Sequence, residues 1–491
     1  MTTYSQDAPG TEATETTEAT ETTEATETTE PAAGAAGIGA RIASTVERLR
    51  ATYASGRTRP IEWRRTQLVA IERLLAENES DIAAALASDL GRPPVEAWLG
   101  DIAGTAAEAA YARKHLRSWM RPKRAALPLA MRPGRAFNTY EPLGTVLIIA
   151  PWNYPVYLSL GPLVGAVAAG NTAIIKPSEH APATSALIAR LVPRYLDPDA
   201  VAVIEGEADA TQELISHGLD HVFFTGGPEI GKLVMAAAAP HLTPVTLELG
   251  GKSPAVVTSD ADIAVAARRI AWTKFANSGQ TCIAPDYVLV DARVSDEFVD
   301  KLTTSINEMQ GADASLRIVN ARQHQRLSGL LDGSGGRTVR GGRADADSMS
   351  IEPTVIVDPD PSSELMQQEI FGPILPVLRI DSLDAAIRFI TARPKPLAAY
   401  LFSNNRAEQK RIVDEVSAGG TVINQALMHV LVPDLPFGGV GNSGMGNYHG
   451  FAGFETFSHR KAVLVKPAKP DLSLIYPPYS ARAEKLLRRF F

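Results

Sequence analysis

Between residues 145 and 249, short apolar runs alternate with stretches patterned like helices, and this alternation limits the fold more than any other feature. Residues 145–150 (TVLIIA) form a short apolar run that ends at Pro151, the signature of a buried strand. A helical run (157–169), a strand (172–175), a helix (near 183–195), a strand (200–204), a helix (212–216) and a strand (220–224) follow. Residues 225–231 open another helix, and residues 244–249 read as a strand. Strands alternating with helices over about 100 residues predict an α/β fold with a doubly wound parallel sheet. A second β/α region spans about 254–437 with no linker before it, so the two units are expected to pack closely. Upstream, Leu68, Ile71, Leu74 and Leu75, then Ile82, Leu86 and Leu90, fall at helical spacing, and residues 102–119 form an Ala-rich helical run. At 491 residues the chain exceeds one ordinary core and is expected to form two or more domains.

The N-terminus differs from the rest. The hexapeptide ATETTE begins at Ala13, Ala19 and Ala25, with nothing long or apolar to bury, so residues 1–35 are expected to be a disordered, acidic, solubilising tail. An Ala/Gly linker is expected over 31–39. The net charge of −7 owes −8 to Asp7 and seven glutamates up to Glu30, which leaves a body near +1. Such a body offers no basic stripe for nucleic acid. The start of the chain lacks a positive n-region and apolar h-region, and the most apolar stretch, 146–169, is broken by three prolines. These features read as neither secretory signal nor membrane span, and a cytoplasmic location is expected.

Cys282 is the only cysteine, so no intramolecular disulfide can form, which fits a reducing compartment. A lone thiol is either a small core hydrophobe or a nucleophile. Its setting, FANSGQTCIAPDY, supplies Ser278 and Gly279 for a sharp turn just ahead of it, as a nucleophile with an exposed N–H requires. Asn153, pinned between prolines in PWNYP after a strand, could donate to an oxyanion, or simply form a turn. Glu248 in LELGG and Glu369 in QEIFGP are carboxylates in apolar settings, where burial raises basicity toward that of a general base; a structural buried acid is the other reading. Residues 224–231 (FTGGPEIG) resemble a strand–glycine–helix phosphate device, with Gly226 and Gly231 as candidates. Lys176 and Glu179 could clamp a ribose or form a charged loop. His217 and His221 share HxxxH spacing across a helix end, and with no CxxC to complete a site no metal is expected.

In this order and spacing, PWNYP, IIKPSE, FFTGGPEIG, LELGGKSP, FANSGQTCIAPDY, EIFGPILPV and PFGGVGNSGMGNYHGF resemble the aldehyde dehydrogenase superfamily. The tail from Tyr448 to His459 resembles the class 3 branch, which includes bacterial enzymes acting on coniferyl aldehyde. The resemblance implies a Rossmann-like cofactor domain (36–129 and 144–251), an α/β catalytic domain (252–451), a small β bridging, oligomerising unit (130–143 and 452–467) and a C-terminal extension (468–491). It implies Cys282 as nucleophile, Asn153 as oxyanion donor and Glu248 as general base. Lys176, Glu179, Gly226 and Gly231 then contact the cofactor, and Glu369 and Phe371 position the nicotinamide end. In class 3 enzymes the base role is divided less sharply between Glu248 and Glu369. It further implies oxidation of an aldehyde to an acid through a Cys282 thiohemiacetal and thioester, with NAD as cofactor, NADP as the alternative, and a homodimer. Gly227-Pro228 departs from the usual Asn or Ser followed by Thr and removes one phosphate donor. Tyr154, Trp272 and Phe437 fall where class 3 relatives line the aldehyde tunnel, which predicts a hydrophobic aliphatic or aromatic substrate. The alternatives are an acylating semialdehyde-type enzyme and a catalytically silent binding protein.

Overall fold

The computed structural model describes residues 31–309, 317–471 and 473–490. Three sheets organise it. The first has six strands in the order Gly444–Met445, Val245–Leu249, His221–Gly226, Thr145–Ile149, Thr172–Lys176 and Val201–Val203. All pairings in it are parallel except that of Gly444–Met445. The strand order reverses beside Thr145–Ile149, and in such sheets ligands bind at the crevice beyond the strand ends at this point. Thr145–Ile149 and Thr172–Lys176 are buried along their whole length, which explains their unbroken apolar runs. The helix between them, Tyr157–Ala169, has the bounds expected from sequence.

The second sheet has seven strands in the order Arg337–Arg340, Thr354–Val357, Ile374–Ile380, Tyr287–Asp291, Pro254–Val257, Ala398–Phe402 and Gly420–Ile423, all parallel but for the first pair. Val146, Ile148 and Phe223 of the first sheet belong to the same buried cluster as Ala255, Val257 and Val288 of the second, so one core joins the units. The third sheet is antiparallel: Lys123–Ala125, Arg135–Pro142 and Ser458–Val465.

Three expectations need correction. The stretch expected as an Ala/Gly linker belongs to the helix Pro31–Ala54. Proline suits a first helical position, and the alanines between the glycines favour the helix strongly enough to outweigh them. The expected tail thus ends before Pro31, and residues 1–30 lie outside the described residues. The helix expected to open at Thr225 begins at Pro228, because Thr225 and Gly226 still pair in the strand. Residues 98–103 form a π-helical turn that no local pattern announced.

Candidate active site

The nucleophile loop is built on left-handed backbone. Asn277, Ser278 and Gly279 have φ of 51°, 52° and 69°, three consecutive residues in a region that L side chains seldom adopt. The turn reverses the chain after the helix Ile263–Phe275 and leaves Cys282 partly exposed. Gln280 locks it: its Nε2 donates to the Asn277 and Arg317 carbonyls (3.1 Å each), and its Oε1 accepts from the Val319 N–H (3.0 Å). A Cβ on Gly279 would sit 2.2 Å from the Gly372 carbonyl oxygen. Gly279→Ala is therefore expected to push the thiol loop away from the 369–373 loop, lowering activity by about a hundredfold and stability by about 2 kcal/mol. Initial rates and a thermal melt check this.

Cys282 lines two cavities. One, of about 730 Å³, is walled by Tyr154, Trp272, Phe437, Leu158, Leu427 and Tyr448 among others. The three aromatics expected in a tunnel are thus all present. Trp272, 45% exposed, stands where the helix surface meets solvent and is not packed in the core. Arg92 also lines this cavity, a cation outside the recognised motifs, but it is bound to Asp101.

The other cavity, of about 1120 Å³, contains Asn153, Lys176, Glu179, Gly226, Glu248, Glu369 and Phe371. Lys176 Nζ donates to Glu179 (2.9 Å) and to the Gly206 carbonyl (2.8 Å). Partial burial would raise the Glu179 pKa, but the Lys176 bond and charge outweigh it and hold the carboxyl below its ordinary value. The helix Pro228–Ala238 points its N-terminus at this cavity with Gly227 as N-cap, and a Cβ on Gly227 would meet nothing within 4 Å. Gly231 does not line the cavity. A Cβ there would lie 2.8 Å from Leu249 Cδ2, so this glycine lets the helix approach the neighbouring strand.

Both acids line the larger cavity and act electrostatically on Cys282. Glu248 is buried with neither carboxylate oxygen hydrogen-bonded, and burial raises its pKa well above 4.5. Glu369 is raised to about 8, mainly by burial and by Asp286, against the Gly251 N–H, Lys252 and Arg326. Its loop is held from three sides. Lys252 pairs with Asp286 and donates to the Leu365 and Gln368 carbonyls (2.8 Å each), Asp286 Oδ1 accepts from the Ile370 N–H (2.9 Å), and Arg326 donates to the Glu369 and Ile370 carbonyls (3.2 and 2.6 Å). Phe371, at φ 49°, meets Trp152 edge-on at 5.3 Å. Burial, followed by the charges of Glu369 and Glu248, pushes the Cys282 thiol up to about 12, while the N–H groups of Cys282 and Ile283 oppose this. Asn153 Nδ2 donates to the Gln280 carbonyl (3.0 Å) and carries a second N–H. Among the described residues no group of three or more His, Cys, Asp or Glu could hold a metal ion. His221 instead bonds Thr246 at 3.1 Å.

A thiol between an aromatic-lined cavity and a larger one that carries charged side chains, with two unusually basic acids beside it, suits covalent oxidation of a carbonyl compound. The model of the aldehyde dehydrogenase family matches residues 11–463. The chain belongs to the aldehyde dehydrogenase family. Its relatives include the rat "Aldehyde dehydrogenase, dimeric NADP-preferring", 46% identical over 90% of this chain and 98% of that one. The Arabidopsis thaliana "Aldehyde dehydrogenase family 3 member I1, chloroplastic" is 45% identical over 92% of this chain and 83% of its own length. Among solved structures, one described as the substrate-bound state of Staphylococcus aureus AldH superimposes with a TM-score of 0.88 at 44% identity, covering 92% of this chain and 99% of that one. As a family member this aldehyde dehydrogenase oxidises aldehydes to acids with NAD or NADP. Sequence reasoning missed Lys252, Asp286 and Arg326 as holders of the Glu369 loop. Asp286 was in view within the cysteine motif, but its partners lie tens of residues away.

Proposed function

We propose that this aldehyde dehydrogenase oxidises hydrophobic aliphatic or aromatic aldehydes, with Cys282 as nucleophile. The observation that carries the reading is that Cys282 lines both cavities, so an aldehyde from the aromatic-lined one and a dinucleotide from the larger one meet at one sulfur. The Cys282 sulfur attacks the aldehyde carbon, and the oxygen, now anionic, takes hydrogen bonds from Asn153 Nδ2 and the Cys282 N–H. The residues of the larger cavity fit a dinucleotide: Gly226, Gly227 and the helix N-terminus suit its phosphates, Lys176 and Glu179 a ribose, and Glu369 and Phe371 the nicotinamide end. When bound, the oxidised nicotinamide accepts hydride and brings a positive ring that favours the thiolate. Glu248, with both oxygens unpartnered, takes a proton from the water that hydrolyses the Cys282 thioester.

Glu179, held anionic by Lys176, disfavours a 2′-phosphate, so NAD is the preferred cofactor. Arg92 is neutralised by Asp101 and stands beside Glu96, so among the described residues the apolar cavity offers no free cation to a carboxylate-bearing substrate. Initial rates of NADH and NADPH formation with hexanal, benzaldehyde and succinate semialdehyde test these points together. Faster turnover of the first two with NAD is expected; preference for the semialdehyde refutes the pocket assignment.

The chain is read as a homodimer built through the small antiparallel sheet, whose strand Ser458–Val465 is an open edge with Leu464 and Val465 exposed. The domain limits given above accompany this reading, with two refinements: Lys123–Ala125 joins the small sheet, and Gly444–Met445, within 252–451, joins the cofactor sheet. Among the described residues no helix is long and apolar enough to cross a membrane, and a cytoplasmic location is part of the same reading.

A further inference from the structure

We propose that Arg92 and Asp101 form a positioning pair that holds the Asn153–Tyr157 segment so that the Asn153 amide faces the reacting carbonyl. The inference rests on the assignment of Asn153 as oxyanion donor. Arg92 and Asp101 have side chains 1% and 0% exposed and pair directly. A buried ion pair is costly to desolvate and is weak evidence for a stabilising role, so what the pair holds in place is the informative question.

It holds one segment at both ends. Arg92 Nη2 donates to the Asn153 carbonyl, while Nη1 of the same guanidinium binds Asp101 Oδ2. Asp101 Oδ1 accepts the N–H groups of Val156 and Tyr157 at 2.9 Å each, two donors of the helix start that have no partner within the helix. Between these grips lies Tyr154, whose ring stacks under the Arg92 guanidinium at 4.5 Å. On another side the ring is closed in by Gly100, where a Cβ would come within 2.8 Å of Tyr154 Cε1. Its hydroxyl bonds Thr281 Oγ1 at 2.8 Å, next to the nucleophile.

The Asn153 carbonyl also accepts Asn277 Nδ2 at 3.0 Å, so Arg92 and the nucleophile loop share one acceptor. With its backbone fixed in this way, Asn153 gives one amide N–H to the Gln280 carbonyl, and the residue lines the same cavity as Cys282. The local backbone is shaped to bring the pair together. Gly91, at φ 68°, ends the helix Glu79–Leu90 and turns the chain so that Arg92 points inward. The π turn Trp98–Ala103 carries Asp101, and such turns recur at functional sites. Lysine cannot reproduce the arrangement, because a single ammonium lacks the two-pronged geometry that spans a carbonyl and a carboxylate.

A cycle of variants tests this: wild type, Arg92→Met, Asn153→Ala and the double variant, each assayed for kcat with hexanal and NAD, with NAD affinity from fluorescence titration. Arg92→Met is expected to lower kcat about thirtyfold in the wild-type background and less than about twofold when Asn153 is already alanine, with NAD affinity changed less than about twofold. Arg92→Lys is expected to fall between wild type and Arg92→Met. The same fold-loss in both backgrounds, or wild-type kcat in Arg92→Met, overturns the positioning role. If Arg92→Met does not fold, Arg92→Lys and Asp101→Asn decide the matter by the same non-additivity. Full activity in Asn153→Ala removes the oxyanion assignment itself. Loss there with an unaffected Arg92→Met removes only the positioning pair.

Discussion

Glu248→Gln is expected to complete a first turnover and then stall. Glutamine keeps the size of the side chain but cannot take a proton from water, so Cys282 still becomes acylated while hydrolysis slows by about a thousandfold. The stopped-flow trace should show a burst approaching one NADH per active site, followed by a slow steady state. Glu248 is favoured over Glu369 for this role by its contacts. Both Glu248 oxygens are without partners, whereas Glu369 accepts from the Gly251 N–H and lies within the field of Asp286, Lys252 and Arg326. Glu369→Gln is expected to reduce the burst rate itself. Glu248→Gln also has a stability signature. Burial makes the folded protein hold the Glu248 proton more tightly than the unfolded chain does. This group's contribution is therefore complete below pH 4.5 and declines as pH rises, as for any carboxyl whose folded pKa is raised. Thermal melts should show Glu248→Gln gaining on wild type as pH rises above 4.5.

Cys282→Ala should abolish cofactor reduction, by at least about ten-thousandfold, while binding NAD as wild type does. No second thiol can substitute, since this is the only cysteine in the chain. The nucleotide-free thiol has its own pH behaviour. With its pKa pushed up by burial, the nucleotide-free thiol is almost wholly protonated at pH 7. Inactivation by iodoacetamide should therefore accelerate about tenfold per pH unit from pH 7 to 9, and saturating NAD should accelerate it at pH 7. An alkylation rate flat across that range contradicts the electrostatic account of the site.

The groups legible from sequence share a property: each sits in a short stretch whose local chemistry is unusual. Asn153 lies between two prolines, Cys282 follows a Ser-Gly turn, Glu248 precedes two glycines, and Glu369 precedes Phe-Gly-Pro. Five of the six strands of the first sheet were equally legible, while the short Gly444–Met445 was not. What sequence left hidden depends on long-range contacts. Arg92 reads as a loop cation after a helix, and only its bond to Asn153, 61 residues away, gives it meaning. Lys252 meets the Gln368 carbonyl across 116 residues. That Gly231 leaves room for the neighbouring Leu249 side chain likewise could not be read from its motif. The helix Pro31–Ala54 was legible only from about Ile42, because Gly34, Gly37 and Gly39 suggested a linker over its start.

The central claim is that chemistry passes through an ester of the Cys282 sulfur, and intact-mass spectrometry tests it most directly. Glu248→Gln would be mixed with NAD and hexanal, quenched in acid during the stalled phase, and weighed. The account predicts one added hexanoyl group per chain, mapped to Cys282 and missing when that residue is also changed to alanine. A full burst of NADH with unmodified protein would contradict it.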